Sequence, residues 1–262
     1  MWGLNNCKQA ETVHLFSMKW FWGVSVRSPN AMVYGDMGRY PLHINTKLRA
    51  VKYWLKLLRM DSNRYPYMVY KMMFNLHERY PNWATCIKNL LFKYGFVTEW
   101  ERQAVHNERA FIRNIKEKMV NDFDSDWSLT LEKSIRYSLY RQLKSARYKE
   151  PYLYALDKKV FRDIFVRFRF GMSELYIHRY RYQHQCNLTI CPSCMEEEED
   201  ELHMLFFCPA LCAIREKYLM PYPHHDANEV FKEMLSSTDY ATIRKVSIFL
   251  YHAFKIRSEA IE

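Results

Sequence analysis

Four residues, Cys191, Cys194, His203 and Cys208, constrain this chain more than any other feature. They lie in Cys191-Pro192-Ser193-Cys194 … Glu201-Leu202-His203 … Cys208-Pro209, with two, eight and four residues between successive members. Three thiolates and one imidazole complete a tetrahedral shell, the form Zn²⁺ takes in structural sites, whereas a catalytic zinc keeps one position for water. The pattern therefore predicts a CCHC zinc knuckle, with Zn²⁺ as cofactor and a binding role ahead of an enzymatic one. His203 and Cys208 stand five apart, about 140° out of phase on an ideal helix. They converge only if the helix ends between them. Pro209 suits such a break and the first turn of a following helix. Cys186 and Cys212 are spare donors, and a swap with Cys212 stays open.

A chain of 262 residues, 49% hydrophobic and with only 6 Gly, has enough apolar mass for one large domain or two small ones. No run approaches the ~18 apolar residues of a membrane span, so no membrane partner is expected. The aromatic start is broken by Lys8, Glu11, His14 and Lys19 and does not read as a signal peptide. The expected setting is intracellular, in nucleus or cytoplasm, where spaced cysteines read as metal ligands before disulfides.

The net charge of +10 is uneven. Residues 1–60 carry +7, 61–135 carry +1, 136–184 carry +8 and 185–262 carry −6. Two basic segments imply a polyanionic partner, RNA or DNA. The arginines and rings of Arg167-Phe168-Arg169-Phe170 and Arg179-Tyr180-Arg181-Tyr182 combine phosphate pairing with base stacking. Arg167, Arg169, Arg179, Tyr180, Arg181 and Tyr182 are the candidate contacts there. Against this, Phe165, Phe168 and Leu175 also read as core. Arg49, Lys52, Lys56 and Arg59 repeat at helical spacing and add a second candidate row. The acidic run Glu196 to Glu201 reads as a solvated loop tip.

Periodicity predicts a mainly α fold. Thr46 caps a helix to Arg59 striped by Leu48, Val51, Leu55 and Leu58; Ala84 to Tyr94 is a helix ended by Gly95. Glu101 to Val120 carries Ala104, Phe111, Ile115 and Met119, and Thr238 to Ile256 carries Ile243, Val246, Phe249, Leu250 and Ala253. The expected division is a helical region over 1–150, a basic segment with the knuckle over 151–220, and a helical tail over 221–262. Asp122-x-Asp124-x-Asp126 is no calcium loop, because Trp127 and Lys133 stand where Gly and Glu are needed. No catalytic set is visible.

Tyr180-Arg181-Tyr182, the knuckle, and the stretch Asp200 to Ala210 resemble the C-terminal end of reverse transcriptases from non-LTR (LINE-type, jockey-like) retrotransposons. Ser28-Pro29-Asn30 through Gly38-Arg39-Tyr40-Pro41-Leu42 is similar to a segment those proteins carry after the polymerase thumb. Tyr53-Trp54-Leu55 and Phe168-Arg169-Phe170-Gly171 also look like that family, and the resemblance spans about residues 10 to 256. It implies a post-thumb linker and zinc knuckle that engages RNA or target DNA, alone or with other retrotransposon-encoded segments. Carried over, Cys191, Cys194, His203 and Cys208 match the zinc ligands, while Arg179 and Arg181 match basic positions before the knuckle. The family's Tyr-x-Asp-Asp box and endonuclease have no match here. The expectation is a truncated copy or fragment that is no enzyme on its own, although the family's full-length protein would be an RNA-directed DNA polymerase. The alternative is a zinc-stabilised helical module for protein–protein interaction.

Overall fold

The computed structural model describes residues 8–24, 26, 28–183, 189–220 and 226–262. Among these the regular elements are helices, with two isolated β-bridges, Met37–Lys149 and Ile190–Glu198. The mainly α expectation holds. In chain order the helices are α1 (Lys8–Trp22), α2 (Asn30–Asp36), α3 (Leu42–Leu58), α4 (Tyr65–Leu76), α5 (Trp83–Lys93), α6 (Val97–Arg102) and α7 (Glu108–Glu132). There follow α8 (Ser138–Leu143), α9 (Tyr152–Ala155), α10 (Lys159–Arg169), α11 (Tyr176–Gln183), α12 (Cys212–Tyr218), α13 (Ala227–Leu235) and α14 (Tyr240–Glu259). No described helix is long and apolar enough to cross a membrane. Two compact units emerge: one holds 8–14 and 40–127, the other 15–39 and 128–262.

In the first unit, Trp54, Val51 and Leu55 of α3 meet Ile87 and Leu91 of α5, Trp100 of α6, and Phe111, Ile115 and Met119 of α7. The indole N–H of Trp54 donates to the Tyr70 hydroxyl at 2.9 Å, which satisfies a buried donor. Two helix boundaries differ from the sequence expectation. α3 begins at Leu42 rather than behind a Thr46 cap, because Pro41 sets the entry and the Leu42 N–H is met by the Glu11 carboxylate at 2.7 Å. The helix expected over Glu101 to Val120 is broken. Gln103 is left-handed (φ 49°), and Asn107 re-caps α7 through the Ala110 N–H at 3.0 Å. Gly95 does end α5 as expected: with φ +76° it lets Phe96 N–H reach Leu91 O at 2.9 Å and Gly95 N–H reach Phe92 O at 3.0 Å.

In the second unit, α10 lies on α14, where Phe165, Val166 and Phe168 are buried together with Ile243, Val246, Phe249, Leu250 and Ala253. The phenylalanines of the basic segment are therefore core. Asp36, at the end of α2, is fully buried and accepts from Tyr140 Oη at 2.6 Å, Tyr152 Oη at 2.8 Å and Arg169 Nε at 3.2 Å. Lys144 and Glu150 complete the cluster: Lys144 bonds Glu150 directly, and Arg169 Nη2 lies 2.9 Å from Glu150, out of line for a hydrogen bond. Two cations and two carboxylates are thus balanced away from water. Gly38 explains the following turn. Its φ is +59°, and a Cβ there would stand 2.6 Å from the Lys149 backbone nitrogen. We expect Gly38→Ala to cost at least ~1–2 kcal/mol from the left-handed backbone alone. Urea denaturation checks it, and an unchanged midpoint would refute the assignment.

Candidate metal centre

A tight turn brings the first two cysteines together. Met195 N–H bonds Cys191 O at 2.8 Å, Met195 takes φ 60°, and the Ile190–Glu198 bridge returns the chain with Cys191 N–H on Glu197 O at 2.7 Å. The second pair meets by a different device. His203–Phe207 winds as a π-helix, and Cys208 N–H closes on His203 O at 2.7 Å, five residues back. That wider turn brings residues five apart towards one face, and Cys208 itself leaves in extended backbone (ψ 116°). Pro209 then opens a short 3₁₀ turn that leads into α12.

The result is one cluster. The ligand atoms of Cys191, Cys194, His203 and Cys208 all lie within 4.8 Å of one another, a group that could hold a metal ion. Cys191 Sγ and Cys208 Sγ are 3.9 Å apart, and Cys194 Sγ is 3.4 Å from His203 Nε2. The other ring nitrogen, His203 Nδ1, sits 3.0 Å from the Glu197 carboxylate, which orients the imidazole so that Nε2 faces the sulfurs. Asp200 accepts the His203 N–H at 2.7 Å. Cys212 is exposed, with its Sγ 3.5 Å from Glu216, and takes no part in the cluster. Cys186 lies outside the described residues.

Burial pushes the Cys208 thiol up to about 12, with the neighbouring Cys191 adding to it, and burial raises Cys191 as well. At Cys194 burial opposes ionisation. The N–H groups of Glu196 and Glu197 and the His203 ring outweigh it and bring the thiol down to about 7. A bound cation reverses the balance at the buried pair, because it stabilises the thiolates that burial disfavours.

The acidic run is not simply a solvated tip. Glu199 and Glu201 are buried. Glu199 takes a two-pronged contact from Arg257 of α14 (Nη2 to Oε2, 2.8 Å) and accepts the Tyr176 N–H at 2.8 Å. Glu201 lies 2.9 Å from His178 Nε2 on α11. Burial of a carboxylate requires such partners, so the run fastens the donor loop to two helices. Only Glu196, Glu197 and Glu198 face solvent. Arg257 stands 58 residues away, and no local spacing could have singled it out.

The candidate nucleic-acid contacts divide by exposure. Arg49, Lys52, Lys56 and Arg59 are exposed along α3 in the first unit; Arg167 and Arg179 are exposed in the second. Arg169 is fully buried on Asp36 and Glu150, so it cannot reach a ligand's phosphate. Its place in the basic-aromatic run put it on the wrong face of α10. Tyr180, Arg181 and Tyr182 belong to α11, and their side chains lie outside the described residues. No protein-family model, curated protein or solved structure matches the chain.

Proposed function

We propose that this protein is a zinc-dependent nucleic-acid-binding module, for RNA or target DNA, derived from a non-LTR retrotransposon reverse transcriptase and without that protein's polymerase and endonuclease catalytic motifs. The observation that carries it is the convergence of three sulfurs and one imidazole in a chain whose preceding, most basic segment keeps Arg167 and Arg179 exposed. The spacings suit zinc. With Zn–S of ~2.3 Å and Zn–N of ~2.05 Å, a tetrahedron has S···S and S···N edges of ~3.8 and ~3.6 Å. The Cys191–Cys208 edge is 3.9 Å and the Cys194–His203 edge 3.4 Å, and all four donors lie within 4.8 Å of one another. Thiolate and imidazole select Zn²⁺ over oxygen-seeking Mg²⁺ or Ca²⁺. Four protein donors fill the shell, so the ion would hold the loop and leave no position for substrate. The resemblance of residues 28–42 and 180–210 to the post-thumb region supports the retrotransposon origin.

Phosphate pairing by Lys and Arg would supply most of the affinity. For a single strand, log affinity then falls with log salt at ~0.7 per phosphate neutralised. Replacing Arg167 and Arg179 together with Gln should lower that slope by ~1.4 if each neutralises one phosphate. Fluorescence anisotropy across a salt series measures it. Tight binding that ignores salt would sink the proposal.

One observation favours a second reading, the protein-interaction module. In the first unit, Tyr53, Leu57, Tyr65, Val69, Met73 and Trp83 line an apolar groove of about 480 Å³. Its neighbours Met68 and Met72 are also exposed. Failure to retain any RNA or single-stranded DNA at about 50 mM salt, together with saturable binding of a defined protein partner, would favour that reading.

A further inference from the structure

Next to the donor loop, α10 and α14 leave a cleft of about 480 Å³ in the second unit. Its lining is chemically mixed. Arg167 and Lys255 bring two cations, Tyr251 and Phe254 bring two rings, and Glu174 brings a carboxylate. The volume falls in the range of small-ligand sites. Rings accept a flat base and cations accept a phosphate. A carboxylate needs N–H donors opposite it, and guanine's N1–H and N2–H offer two side by side, while adenine and cytosine offer a single amino group. Uracil sets carbonyl oxygens on both sides of its one N–H, which repel the carboxylate.

Both walls of the cleft are tied to the donor loop. The Ser173 N–H (3.1 Å) and hydroxyl (2.6 Å) meet His178 Nδ1. Because Nδ1 accepts from that backbone N–H, the opposite nitrogen carries a hydrogen and donates to Glu201 at 2.9 Å, two residues before His203. On the other wall Arg257, between Lys255 and Ser258, is held by Glu199. Neither tie forms unless the loop is in place.

We infer that this cleft binds one unpaired nucleotide, with guanine preferred: the base against Tyr251 and Phe254, the phosphate on Arg167 and Lys255, and the base's N–H pair on Glu174. The inference deepens the nucleic-acid reading above and rests on it. The test uses the full metal-bearing chain and short RNAs of uridine with one central G, A, C or U, by fluorescence anisotropy at about 50 mM salt. The G strand should bind about tenfold tighter than the all-U strand, the discrimination expected of one bidentate contact. Glu174→Gln should reduce that difference to about twofold or less while leaving all-U affinity in place, and Lys255→Gln should weaken all four strands alike. Equal affinity for the four strands, or a G preference that survives Glu174→Gln, overturns the inference while the nucleic-acid reading stands. If no strand binds, guanosine 5′-monophosphate decides. Capture that is lost in Glu174→Gln keeps the cleft and rejects strand binding; no capture rejects both.

Discussion

Cys208→Ser should empty the proposed zinc site, from about one ion per chain to near zero, and free the segment 189–211 for hydrogen exchange. Cys208 is fully buried, 3.9 Å from Cys191 Sγ, and its backbone N–H closes the π-helix on His203. Without a cation the loop must bury thiols that burial keeps protonated, and the four donors lose the only group that attracts them all. We expect exchange in 189–211 to quicken about a hundredfold or more, on the order of 3 kcal/mol of local opening free energy. A strong chelator with a reductant present should reproduce it, the reductant preventing Cys191 and Cys208 from joining as a disulfide. The first unit should be unaffected, since the Trp54–Ile87–Ile115 core contains none of these residues. Cys212→Ser is the matched control: its exposed Sγ reaches only Glu216, so metal content should stay near one. Zinc retained by Cys208→Ser, or unchanged exchange after the ion is stripped, would refute the structural role. Zinc lost from Cys212→Ser would show a different ligand set.

The clustered Cys191, Cys194, His203 and Cys208 and the helix α14 were legible because each rests on local spacing. The Cys and His intervals pick out residues that the fold clusters, and the apolar repeat of Ile243, Val246, Phe249, Leu250 and Ala253 identifies one buried face. The break between α6 and α7 was missed although it is local, set by left-handed Gln103 and the Asn107 cap; the other misses depend on residues distant in the chain. The start of α3 moved to Leu42 because Glu11 caps it across 31 residues. The acidic run looked solvated because its partners, the Arg257 guanidinium and the His178 ring, come from other helices. Arg169 looked like a phosphate ligand for the same reason: its carboxylates, Asp36 and Glu150, lie on other segments, Asp36 133 residues earlier in the chain. An arginine in a basic run reads the same whether it faces water or a buried acid. Burial decides, and burial is a property of the whole fold.

Asp36→Asn should be strongly destabilising, by about 3–5 kcal/mol, because it removes one charge from a buried four-charge cluster. The amide keeps the shape and one acceptor. Its NH₂, however, must face Tyr140 and Tyr152 hydroxyls or the Arg169 Nε, all of which donate to Asp36 in the native fold. Two cations, Lys144 and Arg169, are then left with Glu150 as their only carboxylate. None of these side chains can turn to solvent, since all four charged side chains are at most 2% exposed. The same chemical change at Asp122, whose side chain is 43% exposed and pairs with Lys93, should cost under about 1 kcal/mol, as surface pairs do. Urea titration of the two variants compares them directly. The decisive measurement is the double variant Asp36→Asn with Arg169→Met. If the penalty comes from a stranded cation, removing that cation should recover about half of it, whereas a penalty from lost packing would add to the second substitution. A loss at Asp36 no larger than at Asp122 would mean that the cluster tolerates an unpaired charge, and with it that water reaches a site the fold has closed.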